Sequence, residues 1–119
     1  MGDYRRLKVW HKTRNLRTLV YILTKAFPSE EKYGLKAQMR AAAGSIMANI
    51  AEGCGRNRDG ELLHFLSIAL GSVNELESHL TAALDEGLVE GDLPIQAQQQ
   101  TAEVKRMLSG FSRRLRDQR

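Results

Sequence analysis

An internal disulfide is excluded by the first count made on this chain: it has one cysteine, Cys54. A lone thiol fits a reducing compartment. Proline is nearly absent, with only Pro28 and Pro94, and aromatic residues make up 6%. Few corners and few rings argue against a sandwich or barrel of short strands. No uninterrupted apolar run approaches the ~18 residues that a membrane-spanning helix needs, and Met1–Arg6 has no apolar stretch behind its basic residues as a secretory leader would. The expected location is therefore the cytoplasm. Also lacking are a nucleophile–base pair, a glycine-rich phosphate loop and a pair of catalytic acids. The expectation is a protein that is not an enzyme and takes no cofactor.

What is present is helical periodicity over 119 residues, 42% of them hydrophobic. That length suits one domain over residues 1–119, with a core large enough to need no metal or crosslink. Val9, Leu16, Leu19, Val20, Leu23 and Phe27 predict a helix over about 7–26, stopped by Pro28. Ser29, followed by Glu30 and Glu31, reads as a helix start. A second helix is predicted over 33–54, with Leu35, Met39, Ala42, Ile46 and Ile50 as its core stripe. Ala41, Gly44, Ala48 and Ala51 form a parallel stripe of small residues that would allow tight helix packing. Gly53 and Gly55 read as its stop. A third helix is predicted over 60–86, with Asp59 as N-cap and Leu62, Phe65, Leu66, Ala69, Val73, Leu76, Leu80 and Leu84 as its seam. Gly87 closes it, 88–93 is a loop, and Pro94 suits the first turn of a fourth helix through Ile95, Ala102, Met107, Leu108, Phe111 and Leu115. The expected fold is all-α: an antiparallel up-down-up-down four-helix bundle.

Charge is unevenly spread. Residues 1–25 hold seven basic residues and one acidic, residues 59–92 eight acidic and no basic, and residues 104–119 six basic and one acidic. Antiparallel topology gathers Arg5, Arg6, Lys8, Lys12, Arg56, Arg58, Arg113, Arg114, Arg116 and Arg119 at one end. It sends Glu30, Glu31, Asp85, Glu86, Glu90 and Asp92 to the other. Cations at the end of the fourth helix favour its macrodipole, but those at the start of the first oppose it, so helix electrostatics alone does not account for them. The nine from Arg5 to Arg116 are the candidate nucleic-acid contacts, made mainly to phosphates.

Other patterns carry less. Glu61 and His64 have the Glu-x-x-His spacing of di-iron bundles, but such a site needs a second motif and further inward glutamates, and Glu103 is followed at that spacing by Arg106. No metal site is expected. Ser45, Asn49 and Glu52 form a polar line beside the core stripe of the second helix, read as a structural motif bonding to neighbouring helices. Arg56, or Arg40 of a neighbouring chain, could answer Glu52. Cys54 at a helix C-terminus has no thiolate-stabilising field. Trp10, amid charges, is either a plug at the bundle's end or an anchor in a subunit interface.

Tyr33-Gly34-Leu35, Gln38, Arg40-Ala41-Ala42, Ser45-Ile46 and Asn49-Ile50-Ala51-Glu52-Gly53 carry a resemblance. So do Leu7-Lys8-Val9-Trp10, Phe27-Pro28, Phe65-Leu66, Ala69, Gly71-Ser72 and Glu75-Leu76-Glu77. Over about residues 4–84 the chain resembles the four-helix bundle proteins encoded in intervening sequences of 23S ribosomal RNA. It departs at Met47, where that family usually has proline, and at Ala41, where it often has arginine. The resemblance implies a homopentameric ring. It reaches to accessory proteins of diversity-generating retroelements, which bind a reverse transcriptase and nucleic acid. The leading expectation is a non-enzymatic oligomeric scaffold binding nucleic acid, RNA before DNA, through a basic pole, with a reverse transcriptase as the protein partner that the resemblance implies. The rival is a protein–protein adaptor with no nucleic-acid role.

Overall fold

The computed structural model describes residues 2–28 and 34–118. A short 3-10 turn at Tyr4–Arg6 precedes four helices: α1 Lys8–Lys25, α2 Leu35–Cys54, α3 Asp59–Asp85 and α4 Asp92–Asp117. No strand occurs among the described residues. Each helix packs on its neighbour in the chain, and α1 also packs on α4, while the backbones of the diagonal pairs α1–α3 and α2–α4 stay further apart across the shared core. Contacting residues run in opposite directions: Ser45 meets Ser72, and Gly53 lies against Leu62 and Phe65. The result is the up-down-up-down bundle, 47 Å long and about 20 Å across.

The core runs along the axis. Leu16, Ile46, Leu66 and Leu108, one from each helix, are fully buried, and burying each stabilises the fold by roughly 2 kcal/mol. Thr13, Thr24 and Thr101 join them. Their hydroxyls donate to carbonyls of their own helix, those of Trp10, Val20 and Ala97, so a polar group enters the core satisfied. Cys54 is buried at the end of α2, and burial pushes its thiol up from the ordinary value.

Several boundaries differ from the sequence expectation. Asp59 is the first residue of α3, and Arg58 occupies the cap position with no side-chain cap bond. Asp59 acts with Glu61 as first-turn charge instead. Helix α4 begins at Asp92, so the loop is shorter than 88–93. Pro94 and Ala97 turn inward, and Ile95, about 100° further round, is left half-exposed rather than in the core. Gly87 does close α3: at φ +70 it lets its own N–H reach the Leu84 carbonyl and that of Leu88 reach Ala83, the Schellman pattern. Gly53 is not a stop. It lies inside α2, where an added Cβ would come within 2.9 Å of Leu62 Cδ1 and 3.0 Å of Phe65 Cβ, so its task is the close approach of α3. Gly55 is the cap of α2, in ordinary right-handed geometry.

The small-residue stripe faces outward: Ala41 and Ala48 are exposed, Gly44 and Ala51 half-buried, and a Cβ on Gly44 would meet nothing within 4 Å. It therefore does not face the bundle core; Gly44, Ala48 and Ala51 instead share a groove with Tyr4 and Trp10. Helix α2 runs unbroken through Met47, where the resembling family has proline. Ser29, Glu30, Glu31, Tyr33 and Arg119 lie outside the described residues.

Candidate nucleic-acid interface

The topology brings the start of α1 and the end of α4 side by side, and the end of α2 beside the start of α3. These two corners share one pole but differ in charge. The α2–α3 corner offers Arg56 and Arg58, together with Glu52, Asp59 and Glu61. Arg56 pairs with Glu52 and lies 5.0 Å from the centre of the Phe65 ring. This corner carries more acid than base, so Arg56 and Arg58 are set apart from the basic surface the sequence assigned them to. Charge counted along a chain does not say which acids share a corner.

The α1–α4 corner is different. Arg5 is tied to Asp3 at 3.0 Å, which holds the Asp3 carboxyl below its usual value through side-chain and backbone hydrogen bonds from Arg5. Lys12 pairs with Glu103 at 3.2 Å. Lys8, Arg106, Arg113, Arg114 and Arg116 form no ion pair among the described residues, and all five are exposed; Arg6, equally exposed, belongs to the turn that packs on α1 and α2. Asp117 is the acid nearest in the chain to Arg113, Arg114 and Arg116, and Glu103, three residues before Arg106, is taken up by Lys12. Arg114 and Arg116 in the last turn of α4 also complement its C-terminal dipole. Between the helices lies a half-open groove of about 440 Å³. Leu7, Val9, Met107, Phe111 and Leu115 form its apolar part, and Lys8, Arg106 and Arg114 its basic lining, with Gly110 beneath Arg114. Sequence reading missed Arg106 and Gly110. The signal was available: 106, 110 and 114 are spaced by four and share one face of α4.

The polar line of α2 splits. Ser45 Oγ shares a hydrogen bond of 2.8 Å with Ser72 Oγ on α3, and Asn49 Nδ2 donates to the Ser45 carbonyl at 2.8 Å. The first bond ties α2 to α3; the second lies within α2, where Asn49 Nδ2 also donates to Ser45 Oγ at 3.1 Å. Glu52 belongs to the surface instead. Arg40 is committed within its own chain: Nε donates to Thr24 Oγ1 at 2.8 Å, and the guanidinium stacks 4.3 Å from the Tyr21 ring. Trp10 is half-buried, 4.8 Å from the Tyr4 ring, and lines a shallow apolar groove with Gly44, Met47, Ala48 and Ala51. Glu61 and His64 are exposed, and among the described residues no three His, Cys, Asp or Glu are grouped to hold a metal ion. Among the described residues no helix is long and apolar enough to cross a membrane.

With this geometry in place, the comparison with known families is direct. The pattern of the 23S rRNA-intervening sequence protein family matches residues 5–110. The chain belongs to that family. Its likeness extends to a crystal structure of a protein of unknown function from the S23 ribosomal protein family of Bacteroides thetaiotaomicron. The two share 22% identity with a TM-score of 0.80, covering 87% of this chain and 97% of the other. At that identity the likeness concerns the fold. No curated protein matches. The family match includes Arg6, Lys8, Arg106 and Gly110, while Arg113, Arg114 and Arg116 lie beyond it.

Proposed function

We propose that this protein is a non-enzymatic oligomeric scaffold that binds nucleic acid, RNA in the first place, through the α1–α4 corner of its basic pole. One observation carries the reading: five exposed cations without an internal partner, Lys8 of α1 and Arg106, Arg113, Arg114 and Arg116 of α4, lie toward the corner where these two helix ends meet. Unpaired arginines at a surface are free to exchange counterions for phosphates. In a cyclic ring, such as the pentamer implied by the family resemblance, every chain would present this corner on the same face, so the charges add. A reverse transcriptase enters as a protein partner through the same resemblance to retroelement accessory proteins.

The test is binding of labelled RNA by fluorescence anisotropy across a salt series. With five phosphate contacts on a single strand, log K should fall with a slope of about −3.5 against log salt for each chain engaged. No binding to any RNA or DNA at low salt would overturn the proposal.

A second reading has its own observation. Ile22, Leu93 and Ile95 are large, exposed and apolar at the opposite, acidic end, which favours a protein contact there. For assembly the proposed contact is Trp10 with the outward small-residue stripe of α2, supported by the apolar groove that Trp10 lines with Gly44, Ala48 and Ala51. Trp10→Ala should lower the mass measured by light scattering, since aromatic anchors dominate interfaces. An unchanged mass would remove Trp10 from the interface.

A further inference from the structure

Contact with phosphates requires cations at a surface, not an apolar slot between them. The α1–α4 groove provides such a slot: Met107 and Phe111 lie within it, Lys8, Arg106 and Arg114 line it, and no acidic residue does. Gly110 is the only glycine of α4. In a helix interior glycine is destabilising by roughly 0.5–1 kcal/mol relative to alanine. Close helix packing does not require it here. A Cβ at this position would meet only Arg114 Nη1, at 3.3 Å, the mobile end of a long side chain. Its effect is to keep the slot open beneath its cations. At about 440 Å³ the groove falls in the range of small-molecule sites.

An apolar slot with a wholly basic lining suits an anion that has a flat, weakly hydrated part beside its charge. A nucleotide with an unpaired base is such a ligand. In a duplex the bases are stacked and paired, so only phosphates could reach this surface. We infer that the α1–α4 groove receives an unpaired base of single-stranded RNA, seated against Met107 and Phe111, with the adjoining phosphates on Lys8, Arg106 and Arg114. This rests on the nucleic-acid reading above and adds to it a preference for single strands. Discrimination among bases is slight, because contact with a base's face is tolerant of sequence.

The experiment compares the full chain and two variants against an unstructured single-stranded RNA and an RNA duplex of equal length, at one salt concentration. The wild type should bind the single strand about tenfold more tightly than the duplex, a difference of about 1.4 kcal/mol. Gly110→Leu fills the slot without altering charge. It should weaken single-strand binding about tenfold and leave duplex binding within about twofold. Gly110→Ala leaves most of the slot open and should behave as wild type. Thermal melts by circular dichroism confirm that each variant is folded. Equal wild-type affinity for both RNAs, or a Gly110→Leu variant that loses neither or both equally, would overturn the inference while leaving the nucleic-acid reading standing. If neither RNA binds the wild type at low salt, both fall. If an acidic amphipathic helical peptide binds more tightly than single-stranded RNA and Gly110→Leu removes that binding, the groove is a protein-docking site and the inference is overturned.

Discussion

Reversing Arg113, Arg114 and Arg116 to Glu should abolish RNA binding and leave the bundle folded. All three are exposed in the last turns of α4, and none is held by an ion pair among the described residues. Each substitution replaces a cation that would meet a phosphate with an anion that repels it, so the expected change is at least about 10³-fold in affinity at low salt. The cost to the fold is smaller. Acids in the last turn oppose the helix dipole, at roughly 0.3–1 kcal/mol each. Anisotropy measures the first effect and thermal melting the second. Two controls sharpen it. Reversing Asp85, Glu86 and Glu90 to Lys, at the far end of a 47 Å molecule, should not reduce binding. Reversing Arg56 and Arg58 should matter far less than reversing the α4 arginines, because Glu52, Asp59 and Glu61 already share that corner. Wild-type affinity in the α4 variant would end the assignment of this surface.

The largest single-site effect on stability is expected at Gly53. A side chain there must push α3 away, since Phe65 Cβ, fixed to the backbone, lies 3.0 Å from the position of the new carbon. Gly53→Val should destabilise the chain by about 3 kcal/mol, the upper part of the usual overpacking range. Its partial relief from losing a mid-helix glycine is only a few tenths of a kcal/mol. Gly44→Ala is the counterpart on the same helix. Nothing lies within 4 Å of its added carbon, so it should stabilise by about 0.5–1 kcal/mol. Urea denaturation at equal protein concentration resolves the two. Similar behaviour at both positions would contradict the α2–α3 contact described here.

Periodicity was enough to read the bundle. Hydrophobic spacing places Leu16, Ile46 and Leu66 in the core, and Gly87 marks a helix end that its positive φ fulfils. What failed depended on rotation or on neighbours. Ile95 looked like core because it is apolar, but the register set by Pro94 and Ala97 turns it outward. Gly53 and Gly44 look alike in a string, and only the position of α3 separates them. The basic pole was legible as an end of the molecule, not as a corner. The Arg56–Glu52 pair is local, four residues apart, and was legible; bringing Arg106 beside Lys8 requires knowing which helices adjoin.

The four helix seams are not equal in chain topology. The α2–α3 seam is the most extensive, and its helices are joined through residues 55–58, so little loop entropy opposes its formation. The α1–α4 seam joins the two ends of the chain and is the least extensive of the four. It closes the longest loop for the smallest contact, which makes it the last seam to gain from folding and the first to part in a partial opening. The groove between Lys8 and Arg114 lies on that seam. A ligand that bridges it would therefore act as a clasp, adding its own binding energy where the bundle has least of its own.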